Sequence, residues 1–246
     1  MDSDTVLLLA GLMFAAAILY ASVGHGGASA YLGIMALAGV APEIMRPTAL
    51  VLNVIVAGIA AWRYVRAGWF SFPVLWPFLV TAAPMAFWGG LVDLPDHYYR
   101  PLVGVVLWFA ALRFLFPERI VTAAPDARPP LGPALASGAG IGFLSGLTGV
   151  GGGIFLSPLL IVFGWADTRR IAGVAAVFIL VNSIAGLAGT LTASAHLPAQ
   201  TPYLALAVIL GALLGTTLSL SAASRPLLLR ANAAVLAIAG AKLIFT

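Results

Sequence analysis

The chain has 246 residues, of which 62% are hydrophobic and only 8% are charged. A soluble domain carries about 25% charged residues, and a mean hydropathy of +1.07 spread along the whole chain also excludes a soluble domain with a single anchor. The net charge of +4 does not indicate a nucleic-acid partner, because the basic residues are scattered at the ends of apolar segments, as in membrane proteins.

The predicted elements are ten apolar segments separated by short polar breaks. The first half contains segments 5–23, 28–40, 48–66, 71–92 and 100–116, and the second half contains 131–148, 153–164, 171–191, 200–220 and 227–245. The second segment of each half is too short to cross a membrane, because thirteen residues rise only about 20 Å against a hydrocarbon core of about 30 Å. The sequence therefore predicts an all-α polytopic protein with repeats at 1–116 and 131–246, joined by a polar linker at 117–130.

Three pairs of motifs indicate that the halves are an internal repeat. An offset of 125 relates Gly24-His25-Gly26-Gly27 to Gly149-Val150-Gly151-Gly152, Gly39-Val40-Ala41 to Gly164-Trp165-Ala166, and Arg100-Pro101-Leu102 to Arg225-Pro226-Leu227. Asn53 and Asn182 pair at an offset of 129, which requires a short insertion in the second half.

The basic residues favour inverted over parallel halves. If the first two segments of each half together make one crossing, Lys and Arg divide six against six between the two sides. If they form a hairpin that enters and leaves on one face, nine lie on one side and only Arg46, Arg100 and Lys242 on the other. Because basic loops face the cytoplasm, we expect two inverted repeats, each a glycine-tipped hairpin plus three spanning helices, with a cytoplasmic linker. The depth of each hairpin is left open.

The two glycine clusters fall at the expected hairpin tips, just before an apolar helix. Glycine lets the backbone turn sharply and approach a ligand closely, and the N-terminus of the helix presents unpaired N–H groups and partial positive charge to an anion. Close helix packing is the alternative, and we prefer it for the small-residue pairs Gly142/Gly146 and Gly211/Gly215. It does not require three consecutive glycines at 151–153.

Several polar residues lie beside these tips. Asn53 and Asn182 either donate to a bound anion or bond between helices, and Ser22, Thr148 and Ser157 either donate hydroxyls or bond their own backbone. His25 carries a coupled proton, binds the anion when protonated, or is a neutral, hydrogen-bonded histidine. The expected substrate-binding residues are Gly24, His25, Gly26, Gly27, Asn53, Thr148, Gly149, Val150, Gly151, Gly152, Gly153 and Asn182, with Ser22 and Ser157 at their margin.

The carboxylates disfavour a cation carrier, because all eight fall in loops or at segment ends, whereas such carriers keep Asp or Glu within the membrane. An enzyme is also disfavoured, because there is no His-Glu-x-x-His, no Gly-x-Ser-x-Gly and no intramembrane aspartate pair. Cysteine is absent, which excludes thiolate metal sites and thiol catalysis. We expect no metal and no cofactor.

The two clusters resemble the motifs of the TauE/SafE family of sulfite-exporter-like transporters. Ser22-Val23-Gly24-His25-Gly26-Gly27 is similar to its first motif, and the run from Gly149 to Pro158 (Gly-Val-Gly-Gly-Gly-Ile-Phe-Leu-Ser-Pro) to its second. The resemblance implies secondary transport of sulfite, thiosulfate or organosulfonates such as sulfoacetate across a bacterial inner membrane. A passive anion channel and a membrane scaffold without transport remain the alternatives. The substrate, the direction, the coupling ion and the oligomeric state stay open.

Overall fold

The computed structural model describes residues 3–22, 24–115, 128–193, 197–217 and 225–245. These residues form ten helices and contain no strand, which confirms the expected all-α class. In chain order the helices are α1 (Ser3–Ala21), α2 (Ala28–Leu37), α3 (Pro42–Arg66), α4 (Phe72–Leu91), α5 (Asp96–Leu115), α6 (Leu131–Thr148), α7 (Gly153–Val162), α8 (Thr168–Thr192), α9 (Thr201–Thr217) and α10 (Arg225–Phe245). Most of the expected linker, 117–127, lies outside the described residues.

Six of the described helices, α1, α3, α4, α5, α6 and α8, are long and apolar enough to cross a membrane. Large apolar side chains cover the outside of the bundle; Leu7, Val80, Trp88 and Phe245 are each more than half exposed. Such a surface is suited to lipid and not to water. The protein is therefore a multi-pass membrane protein.

Helix α3 begins at Pro42, six residues before the predicted start at 48. The sequence prediction placed Glu43 and Arg46 in the preceding loop because both residues are charged. The local signals favour helix, because Pro42 stands at the first helical position and Glu43 in the first turn, where each is favourable. Arg46 consequently belongs to a helix and not to a loop.

The two arms of each hairpin differ in length. Helices α1 and α6 have 19 and 18 residues and rise about 28 and 27 Å, close to the thickness of a bilayer core. Helices α2 and α7 have 10 residues each and rise about 15 Å. The first arm of each hairpin is thus long enough to cross, whereas the second returns only part of the way, and each tip lies deep inside the bundle.

Small residues bring the first arm of each hairpin close to a helix of the other half. A Cβ built on Gly138, Gly142 or Gly146 of α6 would overlap backbone atoms of α4, at Phe78, Ala82 and Ala86 respectively. A Cβ on Gly211 or Gly215 of α9 would overlap the backbone of α1. Contacts advance in the same direction along both helices, so each pair is parallel. The packing role expected for these glycines is confirmed.

The centre of the bundle is the antiparallel pair α3 and α8. Leu50, Asn53 and Gly58 of α3 contact Gly186, Ser183 and Leu180 of α8, in that order. Helices α5 and α10 are also antiparallel, because Gly104 meets Ile244 and Trp108 meets Ala237. Asn53 and Ser183, in the middle of α3 and α8, are fully buried.

We expect Gly142→Ala to destabilise the protein by about 1–3 kcal/mol, because the new methyl group must displace the backbone of α4. Gly140→Ala, half a turn away on the same helix with nothing within 4 Å of the built Cβ, is the matched control. It should leave stability unchanged or raise it by up to about 1 kcal/mol through helix propensity. Thermal unfolding of purified protein in detergent measures both. Equal midpoints for the two variants would contradict the α4–α6 contact.

Candidate functional site

Each tip is a short stretch of glycine backbone that precedes the N-terminus of a half-length helix. Gly24 and Gly27 have φ of 78° and 94°, and Gly149, Gly151 and Gly152 have φ between 80° and 86°. Residues other than glycine rarely adopt this left-handed backbone conformation, so glycine is needed for the chain to turn here. Gly27 and Gly152 are the N-cap residues of α2 and α7, and as glycines they provide no side-chain cap of their own.

The side-chain amide of Asn53 lies between the two tips. Its Oδ1 accepts a hydrogen bond from the Ala28 backbone N–H at 3.3 Å, and its Nδ2 donates to Ser183 Oγ at 2.8 Å. A Cβ on Gly26 of the first tip would overlap Asn53 Oδ1, and a Cβ on Gly151 of the second would overlap Asn53 Nδ2. The amide, which is fully buried, thus fixes both tips to the middle of α3 and α8.

One hydrogen bond connects the two hairpins directly. His25 Nε2 of the first tip lies 3.3 Å from Ser157 Oγ, one turn into α7. Both side chains are buried. The sequence singled out each of them separately, and the structure brings them together from opposite halves of the chain.

Asn182, the sequence counterpart of Asn53, differs from it in hydrogen bonding. Its side chain is fully buried, and neither Nδ2 nor Oδ1 has a partner among the described residues. It lies on α8 one turn after Phe178 and one turn before Gly186. A Cβ on Gly152 of the second tip would lie 3.0 Å from Phe178, and one on Gly186 would lie 3.2 Å from Gly146 of α6. Asn182 therefore lies beside α6 and the second tip.

Two further buried hydroxyls at the tips also lack a hydrogen-bond partner within the described part of the chain. One is Ser145 Oγ of α6, at the second tip: a Cβ built on Gly152 would lie 3.4 Å from the Ser145 Cβ. The other is Tyr31 OH of α2, at the first tip: a Cβ built on Gly27 would lie 2.6 Å from it. Buried polar atoms are nearly always bonded in folded proteins. Together with Asn182, these groups are hydrogen-bonding atoms beside the tips that the described residues leave unused.

The remaining predicted residues have local roles in this structure. Ser22 Oγ and Thr148 Oγ1 donate to carbonyls of their own helices, Leu19 O and Leu144 O, both at 2.7 Å. This is the backbone-bonding alternative considered for them. Gly24 packs against Ala172 of α8, and Gly149 against Arg46 of α3. Val150 is buried in the main hydrophobic core, and Gly153 packs against Ile179.

Sequence reasoning missed Ser183, Ser145 and Tyr31. Nothing in their sequence context separates them from the other serines and tyrosines of apolar helices. Ser183 follows Asn182, but only the register of α8 against α3 shows which of the two faces Asn53.

Comparisons with known proteins found one matching family and a similar protein. The model of the family described as "Sulfite exporter TauE/SafE" matches residues 8–243. The chain is also 37% identical over 219 residues to "Probable membrane transporter protein y4hK" of Sinorhizobium fredii (strain NBRC 101917 / NGR234), an alignment that covers 87% of this chain and 88% of that protein. No solved structure gives a significant match.

We expect Gly151→Ala to destabilise the protein more than Gly164→Ala. Both glycines have positive φ, so both substitutions carry backbone strain of about 1–2 kcal/mol. Only the methyl group at position 151 also displaces the Asn53 amide, because nothing lies within 4 Å of a Cβ at 164. The difference between the two unfolding midpoints therefore reports the contact between tip and amide. Identical losses would show that Asn53 does not hold the second tip.

Proposed function

This chain belongs to the sulfite exporter TauE/SafE family and is a membrane transporter, and we propose that it is a secondary transporter of small sulfur-containing anions that works by alternating access. The substrate class is sulfite, thiosulfate or organosulfonates such as sulfoacetate. As a multi-pass protein of the bacterial inner membrane, it would bind this substrate between the two glycine tips.

The observation that carries the proposal is the pair of half-helix N-termini, on α2 and α7, whose tips lie on either side of Asn53. Each N-terminus carries about half a positive charge and N–H groups that have no partner within the helix, of which Asn53 accepts the one of Ala28. Asn182, Ser145 and Tyr31 add neutral hydrogen-bond donors that the described residues leave unused. Neither tip contains a carboxylate, so the site favours an anion over a cation.

We further propose that the two halves are related as inverted repeats, with the 117–130 linker in the cytoplasm and both termini outside. Equivalent helices of inverted halves must run antiparallel, and α3/α8 and α5/α10 do so. Helices α1 and α6 are equivalent in the two halves, as are α4 and α9. The parallel pair α1/α9 is therefore the counterpart of the parallel pair α6/α4. Such an arrangement supports alternating access, in which the halves move against each other around a site at their interface.

Counterflow in proteoliposomes tests the transport mechanism. A carrier loaded with unlabelled sulfoacetate or sulfite accelerates the uptake of labelled substrate, because the loaded site returns faster than the empty one. Flux without this trans-stimulation would identify a passive pore, and absence of flux with every anion of the class would identify a scaffold. Either result would overturn the proposed function.

The two asparagines should respond differently to substitution by leucine. Asn182→Leu removes a buried amide that has no partner among the described residues, so the substrate-free protein should become more stable. Sulfoacetate binding should weaken by about tenfold or more, the value of one hydrogen bond to a charged group. Asn53→Leu is the matched control: it breaks the bonds to Ala28 and Ser183 and should lower stability. Thermal shift with and without sulfoacetate measures both. Undiminished binding by Asn182→Leu would remove Asn182 from the site.

Reporter fusions test the topology. A reporter placed after residue 245 should be active only in the periplasm, and one inserted within 117–130 only in the cytoplasm. A cytoplasmic C-terminus would contradict the inverted arrangement.

A further inference from the structure

A water-accessible cavity of about 460 Å³ lies at the end of the bundle where α3 begins, the α4–α5 loop turns and α8 ends. We call it the vestibule. Its lining includes Pro42, Glu43, Asp93, Asp96, Thr190 and Ala193, and Arg46 and Tyr99 also line it. None of these residues belongs to the site between the tips.

Arg46 is buried in the vestibule with only 7% of its surface exposed. Among the side chains that the structure describes, it is the one Lys, Arg, Asp or Glu that is buried. A charge inside a membrane-spanning helix is costly and normally serves a function. No carboxylate of the described residues lies within ion-pair distance of it, so its charge is not neutralised by an ion pair.

The guanidinium of Arg46 uses only one of its nitrogens for bonds to the described residues. Nη1 donates to Val92 O at 2.8 Å and, more weakly, to Leu147 O at 3.5 Å. The Nε–H and both Nη2 hydrogens are not used by these bonds. They form the planar edge with which arginine binds two oxygens of an oxyanion at once.

Three carboxylates also line the vestibule, and they oppose an anion. Glu43, Asp93 and Asp96 are all exposed at its rim, and Asp96 is paired with Arg100 at 3.7 Å. Exposed charges act in a high dielectric and are screened by salt, whereas a buried charge acts in a low dielectric. Arg46 is the one cation in this lining, and the rim acids, Asp93 among them, weaken the attraction of anions from a distance.

Arg46 lies on the same face of α3 as Asn53, which contacts both tips. It precedes Asn53 by seven residues, which is two turns of α3 and a rise of about 10.5 Å on one face of the helix. Gly149, where the second tip begins, packs against Arg46, with 3.2 Å between a built Cβ and Arg46 O. The floor of the vestibule and the tips are thus joined by α3.

We propose that the vestibule is a second anion-binding site, in which Nε and Nη2 of Arg46 hold two oxygens of a small oxyanion on its way to or from the tips. The ligand would be a sulfonate or sulfite that presents two oxygens to the guanidinium. That class rests on the proposed function, but the binding of an anion at Arg46 does not.

The test uses a single thiol in a chain that has no native cysteine. Ala193→Cys places it in the wall of the vestibule. Its labelling rate is measured with a small sulfonate-bearing methanethiosulfonate and with the trimethylammonium reagent of similar size. Adding Arg46→Gln should slow the anionic reagent about tenfold, the value of a charged hydrogen bond, without slowing the cationic one. Arg100→Gln, an arginine ion-paired at the rim, is the control and should change neither rate more than about twofold.

Equal slowing of both reagents by Arg46→Gln would show that the arginine only shapes the cavity, and unchanged rates would show that it binds no anion; either overturns the proposal. Arg46→Lys keeps the charge and a donor for Val92 O but loses the planar edge, and so guards against a variant that fails to fold. Sulfoacetate should protect the introduced thiol in the Arg46 protein and about tenfold less well in Arg46→Lys; equal protection would contradict the two-oxygen contact. Labelling needs no transport, so the outcome is separate from that of the counterflow experiment.

Discussion

The amide of Asn53 is the polar group on which both hairpin tips depend. The first N–H groups of a helix have no partner within it, and at this depth no bulk water can supply one. Asn53 Oδ1 accepts from the first residue of α2, and Nδ2 donates to Ser183 of α8. Gly26 and Gly151 leave room for it from either side. One side chain thereby joins α3, α8 and the two tips, and the glycines are required because the amide occupies the space of their side chains.

The two tips differ in how completely their buried polar groups are hydrogen-bonded. The first is bonded through Ala28 to Asn53, and the whole of α2 up to Ala36 is buried; Tyr31 OH is the one group there without a partner among the described residues. Beside the second, Asn182 and Ser145 have no partners within the described part of the chain, and the end of α7 is exposed at Val162. Each unsatisfied buried group costs about 1–3 kcal/mol. A ligand that satisfied them would recover that free energy, so an anion would stabilise the second tip more than the first.

The sequence was sufficient for the helices and for the position of both tips, because hydropathy and glycine clusters are local signals. It could not assign roles to Asn53 and Asn182, which are equivalent in sequence. Their difference arises from neighbours far along the chain, such as Ser183 for Asn53. The start of α3 was misplaced for a related reason. Glu43 and Arg46 have the composition of a loop, and burial of the Arg46 side chain against the ends of α4 and α6 adds to the local helix-start signals of Pro42 and Glu43.

The position of Arg46 explains how a charge without an ion-pair partner among the described residues can be kept in the bundle. Val92 caps the C-terminus of α4, and Leu147 lies in the last turn of α6, where carbonyls lack partners within the helix and carry partial negative charge. Nη1 satisfies both, and Tyr99 OH satisfies the neighbouring Thr148 O at 3.1 Å. These bonds leave the opposite edge of the guanidinium unused. An anion that bound there would neutralise the charge without taking a donor from either helix end, so the anion could arrive and leave while α4 and α6 stay in place.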